Sequence, residues 1–162
     1  MKITRFIVLP LVLLTLATAT FAQGTQIAFG AVKQDPDLPV EVTAENLSVD
    51  QETGQAVFTG NVVVGQGVMR LSSDRLLVVY PEDTKGIERM EATGSVTLVS
   101  GPDAAEAERA DYNVRDGVIV MTGNVLLSQG PQVLTADRMT VDLDSGTAKM
   151  SGSVKTILQT GD

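Results

Sequence analysis

Apolar and polar residues alternate along most of this chain with a period of two, which is typical of half-buried β-strands. The alternation begins near residue 40 and continues to about residue 158. Short turn signals interrupt it, and Asp116-Gly117 and Ser145-Gly146 have the composition of tight hairpin turns. The pattern therefore predicts an all-β domain of successive antiparallel strands.

A glycine recurs at the same place in four of these apolar runs. The runs are Phe58-Thr59-Gly60-Asn61-Val62, Ala92-Thr93-Gly94-Ser95-Val96, Met121-Thr122-Gly123-Asn124-Val125 and Met150-Ser151-Gly152-Ser153-Val154. Self-similarity at glycine spacings of 34, 29 and 29 residues predicts one repeated β-unit. Counting by twos places each glycine on the apolar side, where the missing side chain permits a sharp bend or the close approach of another backbone.

A second motif, a small residue followed by an acid, lies between the glycines. It occurs at Ala44-Glu45, Ser73-Asp74, Ala110-Asp111 and Ala136-Asp137. In the first, second and fourth units the alternation slips by one residue at the acid, as it does at a β-bulge. The third unit keeps its parity through Ala110, Tyr112 and Val114, and so departs from the rule. Each unit is therefore predicted to be two strands, with a bend at the acid in three units.

Two segments depart from the strand pattern. Residues 103–110 have good helix propensity, so a short helix competes there with the strand that the repeat favours. Residues 23–37 contain interrupting glycines and prolines and hold no period, which predicts a flexible leader. Residues 38–158 form the predicted β-domain, and residues 159–162 form a C-terminal tail.

The N-terminus has the pattern of a secretory signal peptide. A basic head precedes an apolar run over residues 6–16 and small residues over 17–22. We expect residues 1–22 to be removed by cleavage after Ala22, with Ala19 as the second choice. A retained membrane anchor is the alternative, although a spanning helix needs about 20 apolar residues and this shorter run contains Pro10.

Composition excludes several classes of chemistry. The chain has no histidine and no cysteine, so it lacks the commonest general base, thiolate nucleophiles and thiolate metal sites. Loss of Lys2 and Arg5 with the signal would lower the formal charge from −8 to −10, which argues against nucleic acid as a partner. We therefore expect no catalytic residues, no bound metal, no cofactor and no enzymatic activity.

The repeated acids are the remaining candidates for chemistry. A carboxylate pair drawn from Glu45, Asp74, Asp111 and Asp137 could in principle hydrolyse glycosides. Their repetition with the fold favours a structural role at the bend instead. The acidic loops at residues 50–54 and 142–146 lack the ligand spacing of a calcium-binding EF-hand and are interpreted as hairpins.

The inward face of the predicted strands is aliphatic, which suits either a packed core or a cleft for acyl chains. Parity selects twelve inward positions as candidate lipid contacts. They are Val40, Val42, Phe58, Val62, Leu71, Val96, Leu98, Tyr112, Val114, Met121, Leu127 and Leu134. For each position, plain packing between the two sheets is the alternative, and the residues alone leave both open.

Taken together, the Thr-Gly-Asn-Val strands, the small-acid step and the N-terminal signal resemble the LptA/OstA-like lipopolysaccharide-transport family over residues 38–158. The resemblance implies an open, twisted β-jellyroll of stacked antiparallel V-shaped strands in the Gram-negative periplasm. It also implies a carrier that moves lipopolysaccharide from the inner to the outer membrane, with the lipid A acyl chains in an apolar groove.

The same resemblance implies partners. LptC-like and LptD-like jellyroll proteins would pair with exposed strand edges, and copies of the chain would join head to tail as a homo-oligomer. We expect the two edges near residues 40–44 and 153–158. Two other functions stay open at this point: a membrane-anchored LptC-like component that keeps residues 6–22, and a structural β-repeat module without a ligand.

Overall fold

The computed structural model describes residues 25–30, 35, 37–82 and 85–157. The predicted signal peptide, residues 1–22, and the predicted tail, residues 159–162, lie outside the described residues. Regular structure within the described ranges is β-strand throughout. The described residues contain no helix of the length and apolar character that crossing a membrane would require.

The described residues form eleven strands, which we number in chain order. They are β1 Thr25–Ala28, β2 Glu41–Thr43, β3 Asn46–Asp50, β4 Gln55–Gln66, β5 Met69–Val79, β6 Arg89–Ser100, β7 Asp103–Asn113, β8 Val118–Gln129, β9 Gln132–Asp142, β10 Thr147–Ser151 and β11 Lys155–Ile157.

All strands join one antiparallel sheet in the order β1-β10-β9-β8-β7-β6-β5-β4-β2, with β3 paired to β4 and β11 paired to β9. Because β1 and β2 at the two ends of this order do not pair with each other, the sheet is open. The sequence prediction of an all-β, open antiparallel fold is confirmed.

Every ladder between two long strands shifts register near its middle. The shift between β4 and β5, for example, leaves Gly60 and Asn61 opposite the single residue Asp74. Two residues against one is the definition of a β-bulge, which bends the strand. Equivalent shifts recur in the next four ladders. The aligned bulges fold the sheet along one line, which we call the spine.

The spine divides the sheet into two facing walls. The first wall contains residues 41–43, 62–73, 96–107, 125–136 and 155–157, and the second wall contains residues 46–59, 75–79, 89–93, 109–122 and 138–151. The hairpin turns lie at the side of each wall away from the spine. We call the opening between those two sides the mouth.

A left-handed backbone and a carboxylate form each bend at the spine. Gly60 has φ +82° and Asn61 has φ +47°, both in the region that favours glycine. A Cβ atom at Gly60 would lie 2.5 Å from a carboxylate oxygen of Glu45, and Asn61 Nδ2 donates a hydrogen bond of 2.5 Å to Glu45 Oε1. The amide therefore holds the carboxylate over the glycine.

The other three units repeat this arrangement with matched residues. Glu108 lies over Gly123 and accepts a 2.6 Å hydrogen bond from Asn124 Nδ2. The shorter Asp137 lies over Gly152 and accepts a 3.0 Å hydrogen bond from Ser153 Oγ. A further aspartate, Asp74, lies over Gly94, which Ser95 follows. The residue after the corner glycine is thus asparagine where the acid is glutamate, and serine where the acid is aspartate.

The third unit corrects the sequence interpretation. Its corner acid is Glu108 and not Asp111, and the parity slips there as in the other units, with Ala107 and Ala110 both buried. Matching on the Ala-Asp string placed the motif three residues too late. Asp111 instead accepts hydrogen bonds of 2.8 and 2.9 Å from Arg109.

The role predicted for the glycines also changes. The group that fills the space of the missing Cβ is an acidic side chain, neither another backbone nor the apolar interior.

Two further segments differ from a simple reading of propensity and composition. Residues 103–113 form strand β7, so the repeat prevails over helix propensity there. Within the segment predicted as a flexible leader, β1 pairs with β10, and the side chain of Phe29 is only 3% exposed in the core. Neither β1 nor Phe29 belongs to the repeat, so periodicity gave no signal for them.

Substituting the corner glycine tests this arrangement. We expect Gly123→Ala to lower the free energy of unfolding by more than about 3 kcal/mol, because strain at positive φ adds to a clash with Glu108. The matched control is Gly130→Ala, at φ +54° with no atom within 4 Å of the added Cβ. It should cost about 1 kcal/mol. The measurement is urea unfolding. An equal loss of unfolding free energy in Gly123→Ala and Gly130→Ala would show that the carboxylate contact does not constrain the corner.

Candidate functional site

The two walls turn aliphatic side chains toward each other and form one apolar interior. Of the twelve positions that parity selected, eight are buried in it. These are Val62, Leu71, Val96, Leu98, Tyr112, Met121, Leu127 and Leu134. The other four, Val40, Val42, Phe58 and Val114, are partly buried and pack against it. The structure thus brings all twelve to one interior, and their contact with lipid stays a prediction.

The middle of the interior is closed by packing. A cavity of about 10 Å³ remains, which is close to the space that one water molecule needs. It is lined by Val64, Met69, Leu71, Leu76, Met90, Ala92, Ala110, Tyr112 and Ile119. An acyl chain therefore enters this part only if the first and second walls move apart.

One end of the interior is open in the structure as it stands. Leu47 and Val49 of β3 are 57% and 61% exposed. Their cross-strand partners are Phe58 and Ala56, which pack in or against the core, and paired residues share a face of the sheet. Both exposed side chains therefore continue the apolar interior to the N-terminal end of the sheet, where an apolar guest could reach it without any rearrangement.

A hydrogen bond joins the two walls across the mouth. Tyr112 Oη, from the second wall, donates to Gln66 Oε1 of the first wall at 2.9 Å, and both side chains are buried. Gln66 Nε2 also donates to the carbonyl oxygen of Leu38 at 3.0 Å. These contacts hold the walls at their present separation. Gln66 stands between two glycines and has the pattern of a turn, so the sequence pattern does not indicate these contacts.

The outer face of the second wall is charged. Glu91 and Asp111 are directly opposite each other on neighbouring strands, and Arg109 contacts both, at 2.7 and 2.8 Å. Hydrogen bonds to these two carboxylates raise the pKa of Arg109, so its charge persists at any ordinary pH. Within the described ranges, no three carboxylates gather closely enough to hold a metal ion. The network balances charge on the outer face of the sheet.

Sequence reasoning left several interior residues out of its candidate set. Met139, Val141 and Met150 are each 1% exposed or less and line the second wall near the C-terminal end of the sheet. Alternation could have selected them, since Met139 and Val141 take over the inward face from Leu134 after the parity slip at Asp137, and Met150 shares the parity of Gly152. Phe29 had no such signal, because it lies outside the repeat.

Fold and site together define a class: an open, V-shaped β-jellyroll with an aliphatic interior that is exposed at one end. Solved structures include the same fold. The chain superposes on LptH of Pseudomonas aeruginosa, titled the LptA-homologous periplasmic component of a lipopolysaccharide transport device, with a TM-score of 0.68. The sequences are 18% identical, and the match covers 78% of this chain and 99% of that one. The predicted jellyroll is confirmed.

Sequence comparison extends the similarity. An uncharacterised protein of Rhizobium meliloti is 31% identical over 113 residues, covering 65% of this chain and 61% of that protein. The lipopolysaccharide export system protein LptA of Escherichia coli K12 is 27% identical over 115 residues (67% and 62%), and that of Haemophilus influenzae is 30% identical over 111 residues (64% and 64%). The chain spans less than two thirds of the length of each of these relatives.

The family model described as "LptA/(LptD N-terminal domain) LPS transport protein" matches residues 41–147, which is more than half of the chain. The chain therefore belongs to this family. The resemblance identified from the repeated strands is confirmed.

Alkaline pH tests the bond across the mouth. Burial raises the pKa of the Tyr112 phenol above its ordinary value, and the charge of Asp144 adds to this, while the hydrogen bond to Gln66 opposes it. Unfolded tyrosine ionises near pH 10, so above that pH the unfolded state binds fewer protons and stability falls as pH rises. Tyr112→Phe should cost about 1 kcal/mol at neutral pH and remove part of the alkaline loss.

The measurement is the free energy of urea unfolding between about pH 8 and pH 11, compared between the two proteins because lysines also titrate there. Tyr80→Phe is the control, since Tyr80 is 42% exposed. Parallel curves for wild type and Tyr112→Phe would contradict a buried, neutral Tyr112.

Proposed function

We propose that this protein is a periplasmic carrier of lipopolysaccharide that holds the acyl chains between its two walls and passes them from the inner toward the outer membrane. The observation that carries the proposal is the continuous aliphatic interior, which reaches solvent at Leu47 and Val49. Membership of a lipopolysaccharide-transport family and the names of the Escherichia coli and Haemophilus influenzae relatives support it.

Burial of hydrocarbon supplies the affinity. Each methylene moved from water into the interior contributes about 0.8 kcal/mol, so about ten methylenes would contribute roughly 8 kcal/mol before the cost of separating the walls. The formal charge of the chain is −8, which disfavours tight capture of the phosphorylated sugars. The headgroup would therefore stay in water while the acyl chains are held.

The spine gives the walls a way to separate. Each ladder between two long strands is interrupted there. Gly60, Asn61 and Asp74, for example, lie outside the regular pairing of β4 and β5. Rotation about these corner residues opens the mouth while the ladders within each wall stay intact. The known cost includes the hydrogen bond between Tyr112 and Gln66 and the packing around the small central cavity.

Free strand edges at both ends of the sheet suit partner proteins. β2 and β3 form one end, and β11 forms part of the other, close to the two edges that the sequence predicted. The exposed Ile157 lies at the second end, 53% accessible. Unpaired edges accept a further strand, so we propose that LptC-like and LptD-like jellyroll proteins dock here and that copies of the chain join head to tail.

One alternative has a specific observation in its favour. The central cavity of about 10 Å³ is what a structural β-module without ligand would contain. The other alternative, an anchored LptC-like component, depends on whether residues 6–22 are kept, and these lie outside the described residues. The experiment below separates a carrier from a ligand-free module.

Photo-crosslinking to lipopolysaccharide tests the interior as the lipid site. A photoreactive phenylalanine analogue replaces Phe58 or Tyr112, which face inward, or Val63 or Val99, which are apolar, 39% and 37% exposed and face outward. We expect the inward labels to crosslink at least five times more lipopolysaccharide than the outward labels, because the acyl chains contact the interior. The readout is the fraction of protein that shifts on a denaturing gel probed for lipopolysaccharide.

Two controls fix the interpretation. Circular dichroism and thermal unfolding show that each labelled protein keeps its β-structure, and an excess of unlabelled lipopolysaccharide should abolish the crosslink. Crosslinking that is equal at inward and outward positions, or absent from both, would contradict the proposed carrier and favour the ligand-free module.

A further inference from the structure

A short segment before the repeat ties the two walls together at the C-terminal end of the mouth. We call residues 25–30 the strap. Its first part is β1, which adds to the edge of β10 in the second wall. At the end of β1, the backbone N–H of Phe29 donates to the carbonyl oxygen of Gly146 at 3.0 Å, in the turn at that side of the mouth.

One residue later, the strap reaches the opposite wall. The N–H of Gly30 donates to Asp103 Oδ2 at 2.8 Å, and Asp103 begins β7 at the mouth side of the first wall. Gln129 Nε2, also in the first wall, donates to the carbonyl oxygen of Ala28 at 2.7 Å and to Asp103 Oδ2 at 3.1 Å. Asp103 is 8% exposed, and its hydrogen bonds to Gly30 and Gln129 are partly buried. The strap therefore crosses the mouth from wall to wall.

The crossing residue places an aromatic ring in the apolar interior. Phe29 is 3% exposed and belongs to the same core cluster as the residues of both walls, while Ile27 packs against that cluster from β1. A phenyl ring buries a large apolar area in the volume that hydrocarbon would otherwise fill. Phe29 and an acyl chain would thus compete for one end of the interior.

We propose that the strap is a built-in competitor of the lipid: Phe29 fills the C-terminal end of the interior in the empty protein, and lipopolysaccharide displaces it on binding. This inference rests on the proposed carrier function and assigns its regulation. The strap is suited to displacement because it lies at the edge of the sheet and adds one four-residue strand, so its release leaves every ladder of the repeat intact.

A reversible disulfide tests the displacement. The chain has no cysteine, so Ala28→Cys with Thr147→Cys, which are register partners of β1 and β10, gives a single defined crosslink next to Phe29. We expect the oxidised protein to bind purified lipopolysaccharide at least tenfold more weakly than the same protein after reduction. The matched control is Thr140→Cys with Lys149→Cys, which joins β9 to β10 within the second wall and leaves the strap free. Its affinity should not change on reduction.

Removing the ring tests the competition from the other direction. Phe29→Ala should raise the affinity for lipopolysaccharide about tenfold, whereas Tyr80→Ala, which removes an exposed aromatic ring, should leave it unchanged. Two results together would overturn the strap proposal while the carrier function stands. They are equal affinity for lipopolysaccharide of the oxidised and reduced Ala28→Cys/Thr147→Cys protein, and no gain in that affinity in Phe29→Ala.

A different result would concern the carrier function alone. If wild type and every variant fail to bind lipopolysaccharide, the proposed function fails, and the strap is then tested with the apolar dye N-phenyl-1-naphthylamine. The strap is supported as a cover of the interior if Phe29→Ala and the reduced Ala28→Cys/Thr147→Cys protein take up more dye than the oxidised Ala28→Cys/Thr147→Cys protein. Equal uptake by all of them overturns it.

Discussion

The structure depends on one repeated contact, a carboxylate held over a left-handed glycine. At each of the four corners the acid fills the space where a Cβ would be, and at three of them the next residue donates a hydrogen bond to it. The contact fixes where the one-residue register shift falls in each ladder between two long strands. Since the bulges are aligned, a single long sheet becomes two facing walls, and both the interior and the mouth follow from that fold line.

The same constraint reconciles a tightly packed interior with the space that the proposed carrier function requires. Within each wall the strands are joined by continuous ladders, whereas between the walls the contacts are apolar packing, the bond from Tyr112 to Gln66, and the strap. Opening at the mouth would sacrifice these contacts and spare the ladders. When the protein is empty, these contacts hold the walls together and keep the aliphatic face out of water. The central cavity of about 10 Å³ belongs to this closed state.

The repeat made most of the fold predictable. Glycine spacing and parity predicted the bent antiparallel all-β architecture and the inward face, because each unit obeys the same local rule. The openness of the sheet and the position of its two ends were implied by the family resemblance. Asp111 was misassigned since an Ala-Asp string recurs near Glu108, and only the register of β7 and β8 separates them. Phe29 and Gln66 were missed because the contacts around them join distant parts of the chain, and no periodic pattern encodes such pairs. Gly30, next to Phe29, bonds to Asp103 across 73 positions, and Gln66 bonds to Tyr112 across 46.

Separation of the walls on binding is the central claim, and a distance between them tests it most directly. Spin labels on Val68 and Arg115 would sit in mouth turns of the first and second walls, with Val68 and Glu106 as a control pair within the first wall. Pulsed electron resonance should give a distance between Val68 and Arg115 that lengthens by several ångströms when lipopolysaccharide is bound, while the control distance stays constant. An unchanged distance between the walls in protein that carries lipopolysaccharide would contradict the account.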